Sequence, residues 1–219
     1  MTTVYFVRHS VRMRKSEIET YNTSQPNIIK EEKIILSVAG ERRAELLCSK
    51  EELQNIDVVY ASNCVRTLQT AKYLLEAQNL KVNIDERLDE RRVGKPNDDI
   101  YPDWYSRQYF DENFKTEGGE SQLDVRKRVG ECFDEIIDKY RGKRIAIFAH
   151  GYAISFFLLR YCKLIDVDDT KLTYEYNGKV ILDKKLNAPD LFKLVLDDND
   201  NVVSIENIIY DDIPFDLGI

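Results

Sequence analysis

Residues Thr3–Ser10 read Thr-Val-Tyr-Phe-Val-Arg-His-Ser, and Arg144–Gly151 read Arg-Ile-Ala-Ile-Phe-Ala-His-Gly. Each is a short run rich in β-branched and aromatic residues that breaks into a histidine, the pattern of a buried strand with a polar carboxyl end. A third run, Asp57–Tyr60, leads into Ser62-Asn63-Cys64-Val65-Arg66-Thr67, and Lys81–Ile84 is a weaker strand. Helical periodicity fills the intervals. Ser37 predicts a cap for a helix to about Lys50, with Ala39, Ala44, Leu46 and Leu47 as its apolar stripe. Ser62 predicts the cap of a helix to about Asn79, and Ser121 with Asp124 three residues on reads as a capping box opening a helix to about Tyr140. Tyr152–Tyr161 is an apolar helix. The tail offers strands at Lys171–Tyr176, Lys179–Leu182, Phe192–Leu196 and Val202–Ile208, the last two flanking a turn at Asp197–Asn201. This alternation predicts an α/β three-layer sandwich: a mostly parallel central sheet flanked by helices, with a C-terminal β-hairpin. With no repeat or linker, residues 1–219 read as one domain.

Composition narrows the function. The chain has 219 residues, 43% hydrophobic and 11% aromatic, enough for one substantial core. A net charge of −7 disfavours nucleic acid and membrane surfaces, which select a basic field. No apolar run approaches the roughly 18 residues of a membrane span, and Arg8 comes too early for a secretory leader. Cys48, Cys64, Cys132 and Cys162 form no CxxC pair, so reduced thiols in a cytoplasmic protein are expected. Only two histidines are present, His9 and His150, and both stand at strand ends.

Ligands of open α/β sheets sit beyond the carboxyl ends of the strands. If the three strands are parallel, Arg8, His9, Arg66 and His150 converge near helix N-termini, where backbone N–H groups also favour anions. Guanidinium groups bind phosphate oxygens bidentately, and a neutral imidazole among them can attack phosphorus. Singly, each element is ordinary: a strand-end histidine is commonly satisfied by backbone, and an arginine in a first helical turn is commonly solvated. The signal is that every histidine in the chain falls into one pattern.

In six ordered segments the chain resembles the histidine phosphatase superfamily, also called the phosphoglycerate-mutase-like family. VYFVRHS (Val4–Ser10) is similar to its strand followed by Arg-His-Gly, and LSVAGERRAELL (Leu36–Leu47) to its Leu-Thr-x-x-Gly helix. VVYASNCVRTLQTAKYL (Val58–Leu74) is similar to Ser-x-x-x-Arg-Thr-x-Gln-Thr-Ala, and RLDERRVG (Arg87–Gly94) to Leu-x-Glu-x-x-x-Gly. GGESQLDVRKRV (Gly118–Val129) resembles Gly-Glu-Ser-x-x-Asp-x-x-x-Arg, and IAIFAHG (Ile145–Gly151) the closing strand and His-Gly. The resemblance implies His9 as the nucleophile that becomes phosphohistidine, with Arg8 and Arg66 clamping phosphoryl oxygens. It implies that His150 stabilises the phosphoryl group in flight, and that Glu90 protonates the leaving oxygen and then deprotonates the hydrolytic water. Neither a metal nor a cofactor is implied, since two arginines and a second histidine supply the positive field.

Several positions leave alternatives open. Ser10 stands where the family has glycine; its hydroxyl either donates to phosphate or simply fits the turn. Arg12, Arg14 and Lys15 form either a solvated cluster or a substrate-facing loop. Asp89 and Glu86 compete with Glu90 on spacing alone, and Arg91, Arg92 and Lys95 either meet substrate or pair on the surface. Six of the 23 aromatic residues fall between Tyr101 and Phe114, as a helical core or as a lid, and the reading favours residues 96–119 as a lid-like insertion hinged at Gly118-Gly119.

The expected function is a metal-independent, histidine acid-type phosphatase acting on a small-molecule phosphate ester. A phosphoglycerate-type mutase and an inactive phospho-ligand binder are the alternatives. Against the mutase, Asn97–Gln108 supplies only Arg107 where mutases are rich in Arg and Lys. Against the binder stands the full set Arg8, His9, Arg66, Glu90 and His150. Oligomeric state is left open by the sequence.

Overall fold

A computed structural model describes residues 1–14, 31–95, 103–168 and 170–218. Its centre is a six-stranded sheet. Strands β1 (Thr2–Arg8), β2 (Val58–Ala61), β3 (Val82–Ile84) and β4 (Arg144–Ala149) run parallel, and β8 (Asp190–Leu196) and β9 (Val202–Ile208) close it antiparallel, in the order β3-β2-β4-β1-β8-β9. Between β4 and β8, β5 (Lys163–Val167), β6 (Leu172–Tyr176) and β7 (Lys179–Lys184) form a separate antiparallel sheet. The sequence marked β6, β7 and the β8–β9 hairpin, but not β5 or the independence of this second sheet.

Residue alternation sorts the two faces, because successive side chains on a strand point to opposite sides. Val4, Phe6, Ile145 and Ile147 pack with helices α4 (Gln122–Lys139) and α5 (Gly151–Leu158). Tyr5, Val7, Ala146 and Phe148 pack with α1 (Val38–Cys48) and α2 (Val65–Gln78). The chain is thus the expected three-layer α/β sandwich. A short helix, α3 (Trp104–Phe110), lies against α5. Among the described residues no helix is long and apolar enough to cross a membrane.

Local chemistry explains the boundaries, with two adjustments. Ser37 caps α1 by accepting the Gly40 amide at 3.0 Å, but the buried stripe is Gly40, Ala44, Leu47 and Cys48, leaving Ala39 exposed. Gly40 is required by packing: a Cβ there would lie 2.0 Å from the Val11 carbonyl oxygen. Ser62 does not cap α2; Cys64 is the N-cap residue, and the Ser62 hydroxyl is engaged elsewhere. The Ser121–Asp124 capping box is present in full, and Asp197 accepts the Asn199 and Asn201 amides in the β8–β9 turn.

Phe6 is fully buried with its ring 4.7 Å from that of Phe157. Phe6→Ala is expected to lower the unfolding free energy by about 3–5 kcal/mol, read by urea denaturation. A near-zero loss would contradict the burial of this ring between sheet and helices.

Candidate active site

The parallel pairing of β1 with β4 sets Arg8 opposite Ala149, and the His9 amide donates to the Ala149 carbonyl at 3.0 Å. The two strands therefore end together, and the His9 and His150 rings face each other at 5.2 Å between centroids. Arg66 arrives from the first turn of α2, after β2. Arg8, His9, Arg66 and Glu90 line one cavity of about 1190 Å³.

Protonation follows from the partners. The Ser10 carbonyl can only accept, so the His9 Nδ1 at 2.7 Å is the N–H, which leaves a lone pair on Nε2. A guanidinium can only donate, so His150 Nδ1 accepts from Arg66 Nη2 at 3.0 Å and its Nε2–H donates to Ser62 Oγ at 2.8 Å. Ser62 passes its own proton toward Thr67 Oγ1 at 2.9 Å, and Thr67 donates to the Cys64 carbonyl at 2.7 Å. Burial, then the charges of Arg66 and Arg8, hold His9 well below the usual imidazole range. His150 is depressed likewise by burial, Arg66 and His9.

The arginines are gripped by main chain. Arg8 donates to the carbonyls of Leu186 at 2.6 Å, Asn187 at 3.3 Å and Leu217 at 2.7 Å, and Arg66 donates to the Glu31 carbonyl at 2.6 Å. Among the described residues, each nonetheless keeps a buried Nε–H with no partner. Among the described residues neither has a carboxylate within ion-pair distance. Buried donors without acceptors are rare and costly unless a ligand supplies the acceptor.

The Glu90 carboxylate accepts from its neighbour's amide, Arg91 N, at 2.9 Å, and from the first turn of α5, Tyr152 N at 3.3 Å and Ala153 N at 3.1 Å. A Cβ on Gly151 would lie 3.4 Å from Arg8 Nε and 3.7 Å from Glu90 Oε2, so the missing side chain leaves the gap between them open. Asp89 is held apart by the Asn63 amide at 3.2 Å, and burial pushes its carboxyl up to about 6. Glu86 lines the same cavity from a single turn of 3₁₀ helix. Arg128 of α4 donates to the carbonyls of Arg87, Asp89 and Glu90, at 2.7, 2.9 and 3.2 Å, and pairs with buried Glu120 at 2.8 Å. Glu120 in turn accepts the Arg92 amide at 2.9 Å. The sequence motif containing Glu120 and Arg128 carried this signal, but its link to the Glu90 loop is visible only in three dimensions.

Other expected site residues fall differently. Ser10 is fully buried; its hydroxyl donates to the Gly40 carbonyl at 2.7 Å and its amide to Thr70 Oγ1 at 3.0 Å, so it fits the turn instead of lining the cavity. His150 stands behind Arg66, both ring nitrogens engaged and outside the cavity wall. Arg12 reaches the cavity and pairs with Glu31 at 3.1 Å, whereas Arg14 pairs with Asp216 at 3.8 Å; Lys15 lies outside the described residues. Tyr101 also lies outside them. Tyr105 and Tyr109 of α3 form a cavity wall while Tyr109 packs on Phe156, and Phe110 faces solvent. At the base of the expected lid, Glu120 N donates to the Arg92 carbonyl at 2.8 Å and Lys95 N to the Glu117 carbonyl at 3.1 Å. A Cβ on Gly119 would meet the Val93 carbonyl at 2.7 Å, so close packing explains this glycine.

Cys64, Asp89 and His150 bring potential ligand atoms within 4.8 Å of one another. They fit a cation poorly, because Ser62 and Arg66 occupy the imidazole and the Arg66 charge borders the group. Burial also pushes the Cys64 thiol up to about 11.

Comparison with known proteins gives consistent matches. The family profile described as the histidine phosphatase superfamily (branch 1) matches residues 4–180. Phosphoserine phosphatase 1 of Hydrogenobacter thermophilus is 30% identical over 145 residues, covering 62% of this chain and 67% of that protein. A probable phosphoglycerate mutase of Yersinia enterocolitica is 27% identical over 204 residues, covering 83% and 91%. The solved mycobacterial glucosyl-3-phosphoglycerate phosphatase superposes with a TM-score of 0.66 at 16% identity, covering 95% of this chain and 98% of that one.

Nitrogen NMR of histidine-labelled protein should find His9 neutral with its proton on Nδ1 and His150 neutral with its proton on Nε2. With both groups depressed, the neutral rings persist as pH falls through the ordinary imidazole midpoint of about 6.5. Protonation of either ring at or above that midpoint would contradict the buried, guanidinium-flanked arrangement.

Proposed function

This chain belongs to the histidine phosphatase superfamily, and from that membership we propose that it hydrolyses small organic phosphate monoesters through a phosphohistidine on His9. The observation that carries the reading is the pair of orphaned Nε–H donors on Arg8 and Arg66, beside a histidine whose Nε2 carries a lone pair. A phosphoryl group supplies the acceptors those donors lack and the electrophile that Nε2 can attack.

In the first step His9 Nε2 forms an N–P bond as the ester P–O bond breaks, and protonated Glu90 gives its proton to the departing alkoxide. In the second, water attacks phosphorus, Glu90 takes its proton, the N–P bond breaks, and inorganic phosphate leaves with His9 restored. Charge on the equatorial oxygens is met by Arg8 and Arg66, which their main-chain carbonyl partners hold ready. His150 acts through Arg66, whose Nη2 it fixes by accepting its hydrogen bond. The positive field comes from these arginines, so the step as written uses no metal.

The mutase-named relative supports a second reading, in which the phosphoryl group returns to the substrate. Hydrolysis is favoured by Arg107, the one cation in the described part of the segment where a mutase needs several. It stacks on Phe114 at 4.6 Å, pairs with Asp111 at 3.9 Å and does not line the cavity.

Trapping under alkaline quench is expected to reveal a phosphoryl adduct on His9 by mass spectrometry. His9→Ala should remove the adduct and reduce phosphate release by roughly 10³-fold or more. Unchanged hydrolysis in that variant would end the phosphohistidine reading, and efficient conversion of 3- to 2-phosphoglycerate with little phosphate release would favour the mutase.

Arg128→Met loosens the Glu90 loop, so its effect should depend on the leaving group. Alkyl phosphates, which need a proton on the departing oxygen, are expected to lose roughly 10-fold more kcat than aryl phosphates. Equal losses on both would reduce Arg128 to a purely architectural role.

A further inference from the structure

Six buried side-chain atoms among the described residues lack a hydrogen-bond partner, and three of them are guanidinium nitrogens: Arg8 Nε, Arg66 Nε and Arg91 Nη2. All three arginines line the same cavity. The phosphoryl group accounts for the first two. Resting on the phosphatase reading, we propose that Arg91 Nη2 receives a carboxylate carried by the alcohol half of the substrate, so that the preferred esters are phosphorylated hydroxy acids or amino acids.

Arg91 is 3% exposed and fixed on two edges. Its Nε donates to the Glu120 carbonyl at 2.8 Å and its Nη1 to Gln108 Oε1, so Nη2 is the edge left for a ligand. The guanidinium lies over the rings of Tyr152 at 5.7 Å and Phe156 at 5.8 Å. Nearby carboxylates are already committed, Glu90 to backbone amides and Glu120 to Arg128 and the Arg92 amide. A desolvated guanidinium without a counter-charge is expensive, and a ligand anion offsets that cost.

Charge count and position define the group. A dianionic phosphoryl moiety balances Arg8 and Arg66, which leaves Arg91, among the three arginines with an orphaned nitrogen, for one further negative charge. A planar carboxylate accepts from a single guanidinium edge, whereas a second phosphoryl dianion would be under-neutralised there and repelled by the Glu120 carboxylate. The Arg91 guanidinium lies over the Tyr152 ring, and Glu90, the residue placed at the leaving oxygen, accepts the Tyr152 amide, so the carboxylate site and the leaving oxygen border the same residue.

The test compares kcat/KM for matched pairs that differ in the carboxylate: 3-phosphoglycerate against glycerol 3-phosphate, and O-phosphoserine against phosphoethanolamine. The unmodified protein is expected to prefer the carboxylated member of each pair by roughly 10- to 100-fold. In Arg91→Met that ratio should fall close to one, and in Arg91→Lys it should be partly retained. A ratio near one in the unmodified protein overturns the proposal without requiring any variant to fold. An unchanged ratio in Arg91→Met, or a preference for a sugar bisphosphate over both carboxylated esters, does the same. Failure of the underlying phosphatase reading looks different: no phosphate is released from any of the four esters, or its release survives His9→Ala.

Discussion

The in-register pairing of β1 with β4 is the constraint from which the rest of the site follows. Arg8 stands opposite Ala149, and the His9 amide is tied to the Ala149 carbonyl, so the chain leaves both strands at the same level and the two histidines become neighbours. A slip of one residue would turn either Val4 and Phe6 or Ile145 and Ile147 out of one core and into the other, which two fully packed faces forbid. The hydrophobic alternation of two short strands thereby fixes the position of the chemistry.

Burying cations at that junction requires compensation, and the fold supplies it through backbone carbonyls in place of carboxylates. Carbonyl partners on Arg8 and Arg66 orient the guanidinium groups without neutralising them, so their full charge is kept for an incoming anion. Acidic groups are handled in the complementary way. Glu90 is held by amides of its own loop and of α5, and Arg128 acts on the loop's carbonyls instead of on the carboxylate. An acidic protein with a net charge of −7 thus presents a locally cationic cavity.

What the sequence disclosed followed from locality. Strands β1, β4, β8 and β9, the Ser121 capping box and the Asp197 turn rest on neighbours in the chain and were legible as patterns. The same is true of the convergence of Arg8, His9 and Arg66 on one cavity, since strand ends in a parallel sheet share an edge, whereas Glu90 was legible only through the family resemblance. The rest depended on partners remote in sequence. Ser62 has the chemistry of a helix cap, yet His150 claims it from 88 residues away. Ser10 has the chemistry to donate a hydrogen bond to phosphate, yet the Gly40 carbonyl lies close enough to accept it instead. Arg91 belonged to a charged run that reads as surface, and only its burial against Tyr152 and Phe156 separates it from Arg92. Strand β5 was missed because its exposed charges, Lys163 and Asp166, interrupt the apolar pattern.

The position of β1 also bears on how the chain is assembled during synthesis. Strand β1 is a central one, and it is synthesised well before its two neighbours, β4 and β8. Until they arrive, a strongly apolar strand has unpaired edges on both sides, the situation in which nascent chains depend on chaperones. Arg8 waits longer still, because one of its carbonyl partners lies 209 residues downstream. The cationic cavity is therefore among the last features of this fold to mature.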